Sequence, residues 1–186
     1  MSDSFNIIVP ERFTFNQQEL AELENRMIGW MQKNGWIESE KSDCVYNEDK
    51  GWRFTAAGAA RMAADGEYQE SLDIYGISVE KYDDWKGVFT NMEGGLESAV
   101  CPVCGKDILD DIYDMISDWS IAREYYPLKC PQCDAASDIR DFKLYPPWGF
   151  SQLGFEFWNL GIIDQEFVRE FSEKLGEPVR VVWGTL

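Results

Sequence analysis

Two short motifs carry the chemistry of this 186-residue chain. Cys101-Pro102-Val103-Cys104 and Cys130-Pro131-Gln132-Cys133 are CxxC pairs separated by residues 105–129. A CxxC turn aims two sulfurs at one point, and two such turns supply the four thiolates of a tetrahedral Zn²⁺ site. The proline after the first cysteine of each pair stiffens the turn, and amides near the second thiolate can stabilise its charge. Gly105 after Cys104 admits a left-handed backbone. Four sulfurs leave no open coordination position. Cys101, Cys104, Cys130 and Cys133 are therefore expected to hold a structural ion, not a catalytic one. The fifth cysteine, Cys44, has no base near it in sequence and reads as a small buried hydrophobe.

The paired motif resembles a zinc ribbon. Rubredoxin-type iron centres share it, so iron is the alternative to zinc. Two departures stand out. The stretch between the pairs is longer than the roughly 15–20 residues usual in such sites. The second pair is followed by Asp134 where the first has Gly105. The extra length reads as an amphipathic helix over residues 106–119, with Ile108, Ile112, Met115, Ile116 and Trp119 as its apolar stripe. Asp107, Asp111, Asp114 and Asp118 follow i, i+4, i+7 and i+11 on another face, with Asp110 close by. Like charges at that spacing cost a few tenths of a kcal/mol per pair, and Asp is a poor helix former beyond the first turn. Two readings stand. The stripe is displayed for a Lys/Arg-rich partner, or it is an ordinary solvated face.

The elements that must position these motifs read as α+β. Residues 5–9 form a first strand. Asn16 and Glu19 are a capping box for a helix carrying Leu20, Leu23, Met27, Trp30 and Met31, ended at Asn34-Gly35. A hairpin is expected between residues 44–46 and 52–54, then a weak helix from Thr55 interrupted by Gly58. Residues 71–82 read as a strand with a bulge at Gly76, followed by short strands at 88–90 and 139–145. Leu153, Phe155 and Phe157 share one face of a strand over 153–158. Asp164 caps a last helix with Phe167, Val168, Phe171 and Leu175 buried, Gly176 ends it, and residues 179–183 close the fold as a strand. The expected architecture is a mixed or antiparallel sheet flanked by the first and last helices, with the cysteine knuckles embedded. Residues 1–186 are expected to form a single unit, divided into an N-terminal part (1–95), a metal part (96–145) and a C-terminal part (146–186).

Composition narrows the function classes. The net charge is −17, from 17 basic and 34 acidic residues. Such a chain repels phosphate backbones and attracts basic proteins, so no direct nucleic-acid binding is expected. No histidine is present, which excludes Ser-His-Asp, Cys-His and HExxH chemistry. No apolar run approaches the roughly 20 residues of a membrane span, and the first residues lack the pattern of a signal peptide. The expected location is the cytoplasm, where paired CxxC motifs are metal ligands and not disulfides.

Four segments resemble uncharacterised bacterial proteins that carry a CPxCG knuckle: residues 42–45, 94–105, Phe155-Glu156-Phe157-Trp158 and 175–186, about a third of the chain. That resemblance implies no activity. Three function classes remain. The first is a protein-binding module, in one version an immunity or antitoxin protein that neutralises a basic bacterial toxin. The second is a zinc-ribbon factor of the transcription or translation machinery. The third is an enzyme working through carboxylates, with Asp83-Asp84 and Asp110-Asp111 as adjacent pairs; neighbours in sequence do not converge on one point, so no catalytic residue is assigned. The expectation is a binding protein, not an enzyme.

Overall fold

The computed structural model describes residues 2–64, 66, 70–82, 87–122 and 124–186; the Asp83-Asp84 pair lies outside them. The elements run β1 (Ser4–Pro10), α1 (Gln17–Lys33), β2 (Ile37–Ser42), β3 (Gly51–Phe54), α2 (Ala56–Met62), β4 (Gly76–Lys81), β5 (Gly87–Phe89) and β6 (Ser98–Val100). They continue with α3 (Leu109–Ile121), β7 (Leu128–Lys129), β8 (Ala136–Ser137), a 3₁₀ turn (Ile139–Asp141), β9 (Lys143–Tyr145), β10 (Gly149–Ser151), β11 (Leu153–Trp158), α4 (Gln165–Leu175) and β12 (Val179–Thr185). The fold is α+β.

Six strands pair antiparallel in the order β12-β1-β11-β4-β3-β2. Strand β11 is buried at all six positions because both of its faces are covered. On one face Ile8, Ile77, Phe155 and Phe157 meet Leu20, Met27 and Met31 of α1 and Phe167, Phe171 and Leu175 of α4. Trp30 stacks nearly parallel on Phe167, and Phe171 meets Phe155 edge-on at 5.0 Å. On the other face Phe5, Ile7, Val9, Trp158 and Val182 lie under Cys44, Val45 and Phe89.

The helix ends follow the local chemistry. Asn16 and Glu19 form a full capping box on α1. Asp164 accepts from the Phe167 amide at the start of α4, and Gly176 closes that helix in the left-handed conformation. Gly58 does not break α2. A Cβ there would lie 1.9 Å from the Trp36 carbonyl oxygen, so only glycine lets the helix approach that chain.

Three expectations are corrected. The first arm of the hairpin is Ile37–Ser42, not residues 44–46. Cys44 and Val45 leave the sheet plane to cover its second face, which their apolar side chains require. Strand β4 begins at Gly76, so residues 71–75 precede it. Residues 139–141 form a 3₁₀ turn ahead of β9, because the Asp138 carboxylate accepts from the Arg140 amide and bends the chain.

Candidate metal centre

A second core lies around the cysteines. Leu96, Ala99, Ile108, Ile112, Ile116, Trp119, Leu128, Ile139 and Phe142 pack with Cys101 and Cys130. Its strands are short, three residues each in the β6–β9 pair and two each in the β7–β8 pair. Such ribbons cannot hold themselves together by backbone pairing alone.

The two CxxC turns leave β6 and β7 and are built alike. The Cys101 amide donates to the Lys106 carbonyl and the Gly105 amide to the Cys101 carbonyl, each at 3.0 Å. In the second turn the Cys130 amide donates to the Ala135 carbonyl and the Asp134 amide to the Cys130 carbonyl, each at 2.9 Å. The Val103 amide points at Cys101 Sγ and the Gln132 amide at Cys130 Sγ, both at 3.4 Å. Gly105 has φ of 70° and Asp134 has φ of 60°. Asp134 thus adopts the left-handed backbone that glycine supplies in the first turn, and its carboxylate meets Lys129 at 3.0 Å.

All four sulfurs lie within 4.8 Å of one another. Cys101 Sγ and Cys133 Sγ are 3.9 Å apart, as are Cys104 Sγ and Cys130 Sγ. A tetrahedron with metal–sulfur bonds of about 2.3 Å has an edge of about 3.8 Å, whereas a disulfide needs about 2.05 Å. The spacing therefore fits four ligands around one ion, and the site could hold a metal.

The electrostatics agree. The Cys104 amide, with further help from the Val103 amide, brings the Cys101 thiol down to about 7. The Ala135 amide favours the Cys133 thiolate, but burial and hydrogen bonds with Cys104, Cys130 and Cys101 outweigh it and push Cys133 up to about 12. Cys101 thus releases its proton more readily than a free thiol and Cys133 less readily, and a bound cation would favour the thiolate at Cys133.

The insert between the turns is helix α3, which starts at Leu109 and not at residue 106. Asp107 therefore precedes the helix. Its Oδ1 accepts from the Leu109 amide at 2.9 Å and the Ala99 amide at 3.3 Å, tying the start of the helix to strand β6. Ile112, Ile116 and Trp119 are buried and Met115 is half-buried. Asp110, Asp111, Asp114 and Asp118 are exposed, and none is in an ion pair among the described residues. Asp110 and Asp111 sit in the first turn, where the helix dipole favours them and offsets the cost expected of repeated Asp.

The module is tied to the sheet. Phe13 meets Trp119 edge-on at 5.1 Å, and the Arg140 guanidinium lies 4.1 Å from the Phe13 ring centre. Arg140 also donates to the Glu11 carbonyl at 2.8 Å, and Arg180 donates to the Arg140 carbonyl at 3.1 Å. Arg140 was not legible as a tether in the sequence; its charge alternation with Asp138 and Asp141 gave no sign of where it would reach.

A cleft of about 630 Å³ beside α1 is lined in part by Glu48, Asp49, Glu80 and Lys81. The Asn47 amide is bonded to Glu80, and Lys81 is paired with Glu24 at 2.6 Å. Glu156, whose carboxyl is raised to about 7 by burial and by Glu80, does not line this cleft.

No family model, curated protein or solved structure matches the chain. Of the resemblances read from the sequence, the four-cysteine cluster is what the geometry supports.

Proposed function

We propose that the chain is a protein-binding module built on a structural Zn²⁺ held by Cys101, Cys104, Cys130 and Cys133. Zinc is preferred to iron because a closed tetrahedral set of four thiolates in a structural role suits a redox-inert ion. In this reading the ion supplies a cross-link and no chemistry, and residues 1–186 form one compact body whose metal part depends on that ion for its own order. The partner is a basic protein, and the specific version is an immunity or antitoxin protein that blocks a basic bacterial toxin. One observation carries the reading: the sulfur cluster brackets a helix whose outer face holds four aspartates with no ion-pair partner among the described residues. Unpaired charges on a fixed element steer a partner of opposite sign.

The test has two parts. Elemental analysis of protein purified without added ions should find one zinc per chain. The Asp111→Lys plus Asp114→Lys variant should then slow association with a basic protein encoded beside this gene, with stability nearly unchanged. Metal-free protein in which residues 98–145 keep their fold, or binding indifferent to salt and to both changes, rejects the proposal. A ribbon docking on the transcription or translation machinery is the alternative; retention on DNA at physiological salt is the result that would favour it.

A further inference from the structure

One apolar side chain stands on the polar face of α3. Asp114 and Asp118 follow Asp110 at i+4 and i+8, steps that advance only a little around an α-helix. Ile121, at i+11, falls between Asp110 and Asp114 on that same arc. The buried stripe of Ile112, Ile116 and Trp119 occupies the opposite side. Ile121 is 71% exposed, and the chain that follows displays Tyr125 at 69% and Tyr126 at 42%. Three large apolar side chains thus stand open close together in the chain, at the end of the acidic row. Their presence is not explained by the packing of the second core, which includes none of them.

We infer that Ile121, Tyr125 and Tyr126 are the apolar anchor of an interface whose electrostatic rim is Asp110, Asp114 and Asp118. The occupant is an amphipathic segment of a basic protein, with apolar side chains seated on the anchor and Lys or Arg on the aspartates. Charge selects that occupant. A second copy of a chain carrying −17 is repelled, as is a phosphate surface. Aromatic and aliphatic anchors inside a polar rim are the arrangement in which a few residues dominate binding. This inference rests on the acidic-face reading above and adds to it the residues that set affinity, as distinct from encounter rate.

The test uses the zinc-loaded full chain, isotopically labelled, and a synthetic amphipathic peptide of alternating Leu and Lys. Amide shifts should change around residues 110–126 and little elsewhere. A peptide with Ser for Leu should bind roughly tenfold more weakly, as should the Ile121→Ser, Tyr125→Ser, Tyr126→Ser variant with the original peptide. The side chains are exposed, so the variant is expected to fold, and the Ser-for-Leu peptide tests the anchor on unaltered protein in any case. If Asp114→Lys plus Asp118→Lys abolishes binding while the apolar changes do nothing, the anchor is wrong and the acidic-face reading survives. If shifts spread over the sheet, or neither set of changes matters, both fail.

Discussion

The two cores of this protein are held in different ways. The sheet core has helices of 17 and 11 residues on strands of six and seven, and Phe155, Phe157, Phe167 and Phe171 interlock in it. The cysteine core has one helix on strands of two and three residues. In the first, stability is spread over dozens of apolar contacts, each a small term. In the second, an apolar cluster around Ile112, Trp119 and Phe142 rests on short strands, and four sulfurs at a spacing that fits one ion could add a cross-link. One core is thus encoded by periodicity over many residues, and the other has as its distinctive signal four residues that could bind an ion.

The largest effect should come from removing that ion. Binding of a structural zinc is worth on the order of 10–16 kcal/mol in small domains, as much as a whole domain's stability. Chelation, or Cys104→Ser, should abolish amide-exchange protection across residues 98–145 while β1, β11 and α4 stay protected. Loss of protection in all three at once would mean that the two cores are one cooperative unit. The converse change sharpens the comparison. Phe171 is fully buried among Trp30, Phe155, Phe157 and Phe167. Phe171→Ala should cost about 3–5 kcal/mol in urea unfolding. It should leave one zinc per chain under native conditions. Release of zinc by this remote change would show that the two cores are coupled, with the Phe13–Trp119–Arg140 contact as one route to test by substitution.

The sheet core also carries a buried carboxyl group. Glu156 is only 8% exposed on the central strand, hydrogen-bonded by the Ser78 hydroxyl at 3.3 Å. Burial first, and Glu80 second, raise it from 4.5 to about 7. The folded state therefore holds this proton where the unfolded chain has released it. Below pH 4.5 both states are protonated and the group is neutral in its effect. Between pH 4.5 and about 7 the unfolded state gains by ionising, so stability falls as pH rises, by roughly 3 kcal/mol in all. Glu156→Gln should remove that slope. Denaturant midpoints measured at pH 4.5, 6 and 7.5 should bring variant and parent together at low pH and favour the variant at high pH. Parallel curves would show that Glu156 ionises in the fold as it does in the unfolded chain.

What was legible in the sequence follows the same division. Helix α4 and strand β11 were readable because Phe167, Val168, Phe171 and Leu175, and Leu153, Phe155 and Phe157, repeat at periods fixed by backbone geometry. The sulfur cluster was readable because a CxxC turn is local and the pairing of two is nearly forced by the ion. Strand β2 was not, because residues 38–41 are exposed on the sheet's outer edge and show no alternation. Nor was the sheet order, which places β1 between β11 and β12 through contacts joining the two ends of the chain. Asp107 was assigned to the acidic row by spacing alone, and its hydrogen bonds to Leu109 and Ala99 gave it another role. Glu156 lay unnoticed among apolar neighbours, though a lone carboxylate between two phenylalanines of a strand is a signal that the sequence itself contains.

The smallest effect separates the two knuckles themselves. They match hydrogen bond for hydrogen bond, yet one ends in Gly105 and the other in Asp134, both left-handed. An Asp side chain in that region is strained by about 1 kcal/mol relative to glycine. Against this stands the Lys129–Asp134 pair, exposed at 67% and 84%, worth little in water. Glycine also loses more freedom on folding, which takes back part of the gain. Asp134→Gly should therefore stabilise the turn by about 0.5 kcal/mol and raise zinc affinity about twofold against a competing chelator. Gly105→Ala, with the signs reversed, should weaken it by about 1 kcal/mol. Opposite signs at equivalent positions would make backbone strain the difference between the turns. If Asp134→Gly instead loosens the metal, in low salt and not in high, the Lys129 ion pair is what holds the second turn in shape.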